Sequence, residues 1–310
     1  MQAVRFHTYG DSKVLVLEEA PRPQVDEGEV LIRVRAAGVN PLDWKVRDGH
    51  LEGRMGHRLP LIPGWDVSGV VEELGPKVTS FKIGDEVYGL LDFRLDGAYA
   101  EYVAAPVENL AIRPKAIDMI KAGAVPLASL TAWQTLFDVA GLESGQTVLI
   151  HAAAGGVGHL AVQFAKWKNT KVIATASAYN EDFLKDLGAD ELVDYNTTRF
   201  EGVVQDVDVV LDTLGGDTRE RSWQVLKKGG ILVTTLSISP EETAQQHGVR
   251  GKGMMVHPDA AQLTQIAALI DSGDIKPSVT TILPLAEAAR AHELSQAGHM
   301  RGKIVLKVDD

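Results

Sequence analysis

The sequence predicts an α/β chain in two parts: a β-rich domain with many turns, and a doubly wound parallel sheet with crossover helices. Three observations predict it. Residues 1 to about 120 carry short β-branched or alternating runs separated by Gly and Pro. After Pro114, strand-like and helix-like runs alternate. Between Thr147 and Gly158, a short apolar strand meets a turn of Ala and Gly and then a helix start. A chain of 310 residues is also long for one core, so two domains are expected.

In chain order, the early strands are Leu15–Leu17, Val30–Val34, Val67–Val71, Glu86–Tyr88 and Tyr99–Val103. Turns fall at Pro21, Pro23, Gly28, Gly38, Pro60, Pro63, Gly64, Gly75, Pro76 and Gly84. The stretch 47–59 is polar and contains Gly, which predicts a mobile loop. Ala116–Leu142 has helical spacing. The strand at 147–151 is followed by a helix from His159 to Lys168 with apolar Leu160, Ala161, Phe164 and Ala165. The strand Lys171–Thr175, a helix near 180–187, the strand Leu192-Val193 and the strand Val207–Leu211 come next. A helix from about Thr218 to Lys227 ends at Gly229-Gly230, before the strand Ile231–Thr235. Met254–Val256 is expected as the last strand of this sheet. The helix Ala260–Ile270 leads to Pro277–Pro284 and a final strand, Lys303–Lys307, which resemble the first hundred residues. The division is therefore 1–124 with 259–310, and 125–258. The chain crosses twice between these parts, which predicts a cleft, a usual place for a ligand.

Composition narrows the classes. Apolar content of 45% and charged content of 24% describe a globular chain. Net charge is −11, with no basic run and no aromatic-basic interleaving, which disfavours nucleic acid. There is no cysteine, so disulfides, thiolate nucleophiles and Cys-ligated metals are excluded. That absence fits a reducing cytoplasm, the expected location. No signal peptide is visible at Met1–Gly10, and no run approaches the roughly 18 apolar residues of a spanning helix, so no membrane role is expected.

The turn at 152–157 has a chemistry of its own. A helix start offers unpaired N–H groups and a positive dipole end, and glycines let a phosphate approach the backbone. Ala153, Gly155 and Gly158 hold the three places of the G-x-G-x-x-G dinucleotide fingerprint, with Ala weakening the first. An ordinary Gly-rich strand–helix turn is the alternative. Nineteen residues after Gly158 comes Ser177, where NAD sites carry an acid for the ribose 2′-hydroxyl. A carboxylate would repel a 2′-phosphate and a hydroxyl donates to it, so Ser177 argues for NADPH. Ser177 as a loop cap is the alternative, since Ala178-Tyr179-Asn180 has no Arg or Lys and Lys185 is the first cation.

Five stretches carry a wider likeness: Ala36–Asp43, Pro63–Val71, Gly84–Gly89, Ala153–Gly158 and Arg301–Leu306. Together they resemble the medium-chain dehydrogenase/reductase superfamily, and most of all its zinc-independent quinone oxidoreductase-like branch. The resemblance runs nearly end to end and implies a GroES-like β domain plus a Rossmann domain. The zinc-dependent branch binds catalytic zinc with Cys, His and Cys; the matching positions are Asn40, Trp65 and Leu127. Catalytic zinc needs about three N or S ligands, and this trio offers none. The relay hydroxyl of that branch falls at Leu42. No metal is expected there, and His50 and His57, seven apart on a polar loop, read as solvated.

The resemblance implies a site. Asn40 and Thr131 would lie near the nicotinamide and offer an amide and a hydroxyl; a turn residue before Pro41 and a helix cap or back-bond are the alternatives. Lys45 falls where the zinc branch ends its proton relay and is a proton-donor candidate against a solvated lysine. Asp43 is a surface partner of Lys45, a polar cleft wall, or a structural anchor. Trp44 and Trp65 mould an apolar pocket or pack a core. Cofactor contacts are implied for Ala154, Gly155, Gly156 and Val157 in the turn, and for Ser177. Tyr195 matches a position near the adenosine 2′-phosphate or is a surface tyrosine. Leu214-Gly215-Gly216 and Leu236-Ser237 end the fourth and fifth strands, where such folds bind ligands. Lys303 reaches the cofactor or simply sits on the final strand.

Without a metal, a conjugated acceptor suits this site, because hydride delivery leaves the charge on an oxygen that hydrogen-bond donors can stabilise. The expected activity is NADPH-dependent reduction of small-molecule quinones or conjugated carbonyls. Reduction of an acyl-thioester enone, use of NADH, and non-catalytic NADPH binding are the competing readings. Family members often pair through the last Rossmann strand, here expected at Gly253–Val256, so a homodimer is expected.

Overall fold

The computed structural model describes residues 1–236 and 241–308, the backbone alone at 241 and 242. The chain divides into two units, residues 1–130 with 257–273 and 277–310, and residues 131–256 with 274–276.

The first unit opens with β1 (Gln2–Arg5) and β2 (Val16–Glu19), an antiparallel pair. β3 (Glu29–Val39), β4 (Asp66–Leu74), β5 (Glu86–Leu90), β6 (Tyr102–Pro106) and β7 (Leu110–Ile112) follow. The unit's large sheet is centred on β3, which pairs antiparallel with both β4 and β6. Register shifts between Leu31 and Ile32 and between Val34 and Ala36 bend this long strand, as bulges do. α1 (Pro41–Arg47) begins immediately after β3. Pro41 at its first position and Asn40 at its N-cap are the residues a helix start favours. α2 (Met119–Ala122) and α3 (Pro126–Trp133) end this stretch, and α3 runs on into a π-helical turn at Gln134–Val139.

The second unit holds β8 (Thr147–Ile150), β9 (Lys171–Ala176), β10 (Glu191–Asp194), β11 (Val207–Asp212), β12 (Leu226–Thr234) and β13 (Arg250–Gly253). Their order is β10-β9-β8-β11-β12-β13 and every neighbouring pair is parallel. This is the 3-2-1-4-5-6 order of a Rossmann sheet. α4 (Gly158–Trp167), α5 (Glu181–Asp186), α6 (Gly216–Ser222) and α7 (Glu241–Gln246) lie in four of its connections. Every residue of β11 is buried, as expected for a central strand covered on both faces.

The chain returns to the first unit with α8 (Ala260–Asp271), β14 (Val279–Pro284), α9 (Ala288–Ala297) and β15 (Lys303–Lys307). β15 pairs antiparallel with β3, Ile304 facing Val39. The fold is therefore a GroES-like β domain plus a Rossmann domain.

Two expected elements are corrected. The last Rossmann strand is Arg250–Gly253, not Met254–Val256, because Ile231–Thr234 pair with 250–253 in register and only the Met254 N–H reaches back, to Thr234 O at 2.9 Å. The helix expected to reach Lys227 stops at Ser222, and β12 starts at Leu226. The Gly229-Gly230 pair is inside that strand, with Gly229 at φ +77° where the register against β11 shifts.

Candidate active site

Three strand ends in the first unit bring together Asn40, Asp66 and Lys303. Asn40 follows β3, Asp66 opens β4, and Lys303 opens β15. All three are buried. Gly38 makes the arrangement possible: a Cβ there would meet Asp66 Oδ2 at 2.6 Å. The Lys303 ammonium donates to Asn40 Oδ1, to Val39 O at 3.1 Å, and to Asp66 Oδ2 at 3.5 Å. Asn40 Nδ2 donates to Asp66 Oδ2 at 2.8 Å. Asp66 Oδ1 accepts from the Leu127 N–H at 2.5 Å. Since an ammonium only donates and a carboxylate only accepts, the two partners fix which end of the Asn40 amide is oxygen. Burial raises the Asp66 carboxyl above its ordinary range, and Lys303, Asn40 and the Leu127 amide oppose that rise.

A second buried chain starts one helical turn on. Asp43 Oδ2 accepts from the Asn40 backbone N–H at 2.7 Å and from Tyr99 OH at 3.0 Å. His292 Nε2 lies 3.3 Å from Tyr99 OH, and His292 Nδ1 lies 3.3 Å from Arg47 Nη1. A guanidinium has only donors, so Nδ1 accepts and Nε2–H donates to Tyr99, whose own proton goes to Asp43. Arg47, itself fully buried, also bonds Gly10 O, Asp48 and Gln296. Burial pushes the Asp43 carboxyl up to about 7, and the Asp66 charge adds to this, while the Asn40 amide, Tyr99 and Lys303 hold it down. Burial and then Arg47 push the His292 imidazole down to about 3.

In the second unit the implied cofactor residues gather at the carboxyl ends of the strands. After β8, Ala152 turns the chain at φ +49°, its carbonyl accepts from the Gly155 N–H at 2.9 Å, and Ala154, Gly155, Gly156 and Val157 lead into α4. Gly158 must lack a side chain, since a Cβ would meet Ala153 Cα at 2.6 Å. Ser177 follows β9, and its hydroxyl accepts from Asn180 Nδ2 at 3.1 Å, which leaves its proton to donate. Tyr195 follows β10 and is half exposed. Leu214 and Gly215 follow β11, with both N–H groups bonded to Asp212 Oδ1 at 2.9 and 2.8 Å. Leu236 follows β12, its N–H on Thr234 Oγ1 at 3.2 Å. Ser237 lies outside the described residues. Thr131 is buried inside α3 and its carbonyl accepts from Thr135 Oγ1 at 2.5 Å; it is not a helix cap.

Comparison with known proteins bears on the family. Residues 26–115 match the alcohol dehydrogenase GroES-like domain family, and residues 187–306 match the zinc-binding dehydrogenase family. The chain is 35% identical to 2-methylene-furan-3-one reductase of Solanum lycopersicum over 99% of this chain and 79% of that protein. It is 34% identical to the NADPH-dependent alkenal/one oxidoreductase, chloroplastic, of Arabidopsis thaliana, with the same coverage. The solved quinone oxidoreductase of Coxiella burnetii superposes with a TM-score of 0.93 at 38% identity, covering 100% of this chain and 99% of that one. The chain is a medium-chain dehydrogenase/reductase of the zinc-independent quinone oxidoreductase-like branch.

Within this reductase fold, the positions that hold catalytic zinc elsewhere in the superfamily are otherwise engaged. Asn40 is clamped as described. Trp65 is fully buried, with its indole N–H on Leu95 O at 3.1 Å, and Leu127 is buried. Among the described residues, no group of three or more His, Asp or Glu is placed to hold a metal. His57 is partly buried: it stacks on Trp65 with ring centroids 6.0 Å apart and bonds Phe93 O at 2.5 Å. His50 is exposed. Lys45 lies over the Trp44 ring at 5.5 Å, with its ammonium pKa lowered by partial burial. Asp43 is not a surface partner of Lys45, because it is fully buried.

The reductase's sequence hid several of these residues. Asp66 carried a signal: an acid opening an apolar strand at Asp66–Val71 must find a buried partner. His151 carried a weaker one, ending the apolar strand before the phosphate turn. It is buried, with Nδ1 on Thr175 Oγ1 at 3.0 Å and Nε2 on Ser222 Oγ at 2.9 Å. Ser222 gives its own proton to Thr218 O at 2.7 Å, so His151 is the neutral Nε2–H tautomer, tying β8 to β9 and α6. Burial lowers its pKa to about 4. Tyr99, Arg47 and His292 left no local signal.

Proposed function

We propose that this protein uses NADPH to reduce quinones and α,β-unsaturated carbonyls by hydride transfer, with no metal. The observation that carries the proposal is the Asn40 amide, held between Lys303 and Asp66 at the position where zinc-dependent relatives have a Cys ligand. The relatives named for enone and quinone reduction support the substrate class. The second unit's residues fit the cofactor: a tight turn at Gly155–Gly158 with no room for a side chain at Gly158, a Ser177 hydroxyl with a proton to donate, and the Leu214-Gly215 backbone held by Asp212. When bound, the dihydronicotinamide supplies the hydride.

The protein's own residues do the rest. Hydride addition to the β-carbon moves an electron pair onto the carbonyl oxygen. Asn40 Nδ2 offers that oxygen a hydrogen bond in a buried site, where such a donor is worth more than in water. Protonation by solvent completes the reduction. A saturated carbonyl would gather the same charge on a localised alkoxide, which calls for a Lewis acid or a strong acid worth several kcal/mol.

NADPH oxidation with matched pairs tests this: an enone against its saturated ketone, and a quinone against a simple aldehyde. We expect turnover of the conjugated member of each pair at least about tenfold faster, a difference of roughly 1.4 kcal/mol in the barrier. Equal or faster turnover of the saturated members would overturn the mechanism.

A further inference from the structure

Asn40 Nδ2 has two protons, and among the described residues only Asp66 accepts from it. Its oxygen is taken by Lys303. The amide therefore has one end on a cation, the other on an anion, and a single N–H not committed to either. We propose that Lys303 and Asp66 are positioning residues for the reduction: they lock the Asn40 amide, polarise it, and leave one N–H as the donor to the oxygen that gathers charge. Lys303 acts through Asn40 and not on the cofactor. This inference rests on the reductase reading above and assigns the roles within it.

Three features support the roles. First, the clamp is built by the fold and not by a chance rotamer. The antiparallel register that sets Ile304 against Val39 puts Lys303 beside the end of β3, and the missing side chain at Gly38 admits the Asp66 carboxylate. Second, the groups satisfy one another. Lys303 has three acceptors within 3.5 Å and Asp66 accepts from Asn40, Lys303 and Leu127, so little hydrogen-bonding capacity is left over. A lysine so engaged and nearly fully buried has no donor to spare for a phosphate. Third, the backbone N–H of Asn40 is held separately by Asp43, so the residue is gripped at both main chain and side chain. An amide drawn on by an ammonium at oxygen is a stronger donor at nitrogen, since hydrogen bonds in a chain polarise one another.

The test uses the full chain with Lys303→Met and Lys303→Gln. Glutamine keeps a donor for Asn40 Oδ1 without the charge; methionine keeps neither. We expect kcat at saturating substrates to fall about 10-fold to 100-fold in Lys303→Met, short of the roughly 100-fold to 1,000-fold loss when such a donor is removed outright. Lys303→Gln should fall between wild type and Lys303→Met. NADPH affinity, read by cofactor fluorescence, should stay within about twofold in both variants, because RT ln 2 is a small part of a binding energy. A loss of tenfold or more in NADPH affinity with kcat preserved would return Lys303 to the cofactor and overturn the proposal. So would a Lys303→Gln variant no better than Lys303→Met.

Asparagine-selective ¹⁵N labelling of the unmutated protein adds a readout that needs no turnover and no folded Lys303 variant. The Asn40 side-chain amide, assigned by its loss in Asn40→Ala, should show two widely separated proton shifts and slow hydrogen exchange. A fast-exchanging pair with ordinary shifts would overturn the clamp. If no quinone or enone is turned over, the reductase reading fails, and the amide spectrum and NADPH affinity still decide the clamp.

Discussion

At the scale of single residues, the proposed preference for NADPH rests on Ser177. Its hydroxyl accepts from Asn180 and keeps its proton for an acceptor, and Thr175-Ala176-Ser177 at the end of that strand contains no acid. An aspartate there would place a negative charge beside a 2′-phosphate. At 4 Å and an effective dielectric of about 20, such repulsion reaches about 4 kcal/mol, and screening at a half-exposed site reduces it to about 1–2 kcal/mol. We expect Ser177→Asp to weaken NADPH binding about tenfold and to leave NADH unchanged or tighter, by fluorescence titration of both cofactors. Equal affinities for the two cofactors in the unmutated protein would remove the argument. The tight turn at Gly158 and the place of Ser177 after the next strand were legible in the sequence because both follow from a local strand–turn–helix pattern. Lys303 was placed on the right strand but with the cofactor as one possible partner. Its partners Asn40 and Asp66 are 263 and 237 positions away, and no local pattern encodes a contact of that range.

At the scale of elements, the sequence marked where strands fall better than where they end. The Rossmann strands were legible from apolar runs, but the edge strand was misplaced to the more apolar Met254–Val256. Pairing, which sets the true strand Arg250–Gly253, depends on the β12 register and not on apolarity. The packing of α9 against α1 was hidden altogether, and it carries the Arg47–His292–Tyr99–Asp43 chain. That chain makes stability depend on pH in a separable way. Asp43 has a folded pKa of about 7 against an ordinary 3.8, so the folded state holds a proton that the unfolded state has lost between those values. Its contribution is full below about 4 and is lost as pH rises to about 7. His292 and His151, held at about 3 and about 4, act in the opposite sense and destabilise the fold as pH falls below 6.5. Asp43→Asn removes only the first effect. We expect its unfolding free energy, relative to the unmutated protein, to rise by about 1.4 kcal/mol per pH unit from pH 5 to 7 and then level off. Denaturant melts at pH 5, 6, 7 and 8 measure this. A difference between the two proteins that does not change with pH would show that Asp43 does not titrate in that window.

At the scale of the whole molecule, the open side of the Rossmann sheet bears on assembly. β13 bonds to β12 on one side and, among the described residues, to no strand on the other. An unpaired edge is a template for pairing, and a twofold axis beside it would join two six-stranded sheets into one. The edge sequence Arg250-Gly251-Lys252-Gly253 sets the terms of that pairing. Its two glycines let backbones approach, its two cations belong to a chain of net charge −11, and the exposed Met255 follows two residues after Gly253. Two subunits so charged repel at long range, while the basic edge lowers that repulsion where they would meet. Salt shortens the reach of the repulsion from about 30 Å at 0.01 M to about 8 Å at 0.15 M. We therefore expect a homodimer that tightens with salt: light scattering at micromolar protein should give about twice the chain mass of 33.4 kDa at 0.15 M salt, and a lower average at 0.01 M. Met255→Asp, adding a charge beside the edge, should move the mass toward one chain without loss of NADPH binding. A single-chain mass for the unmutated protein at both salt concentrations would rule the dimer out, and a dimer untouched by Met255→Asp would place the interface away from β13.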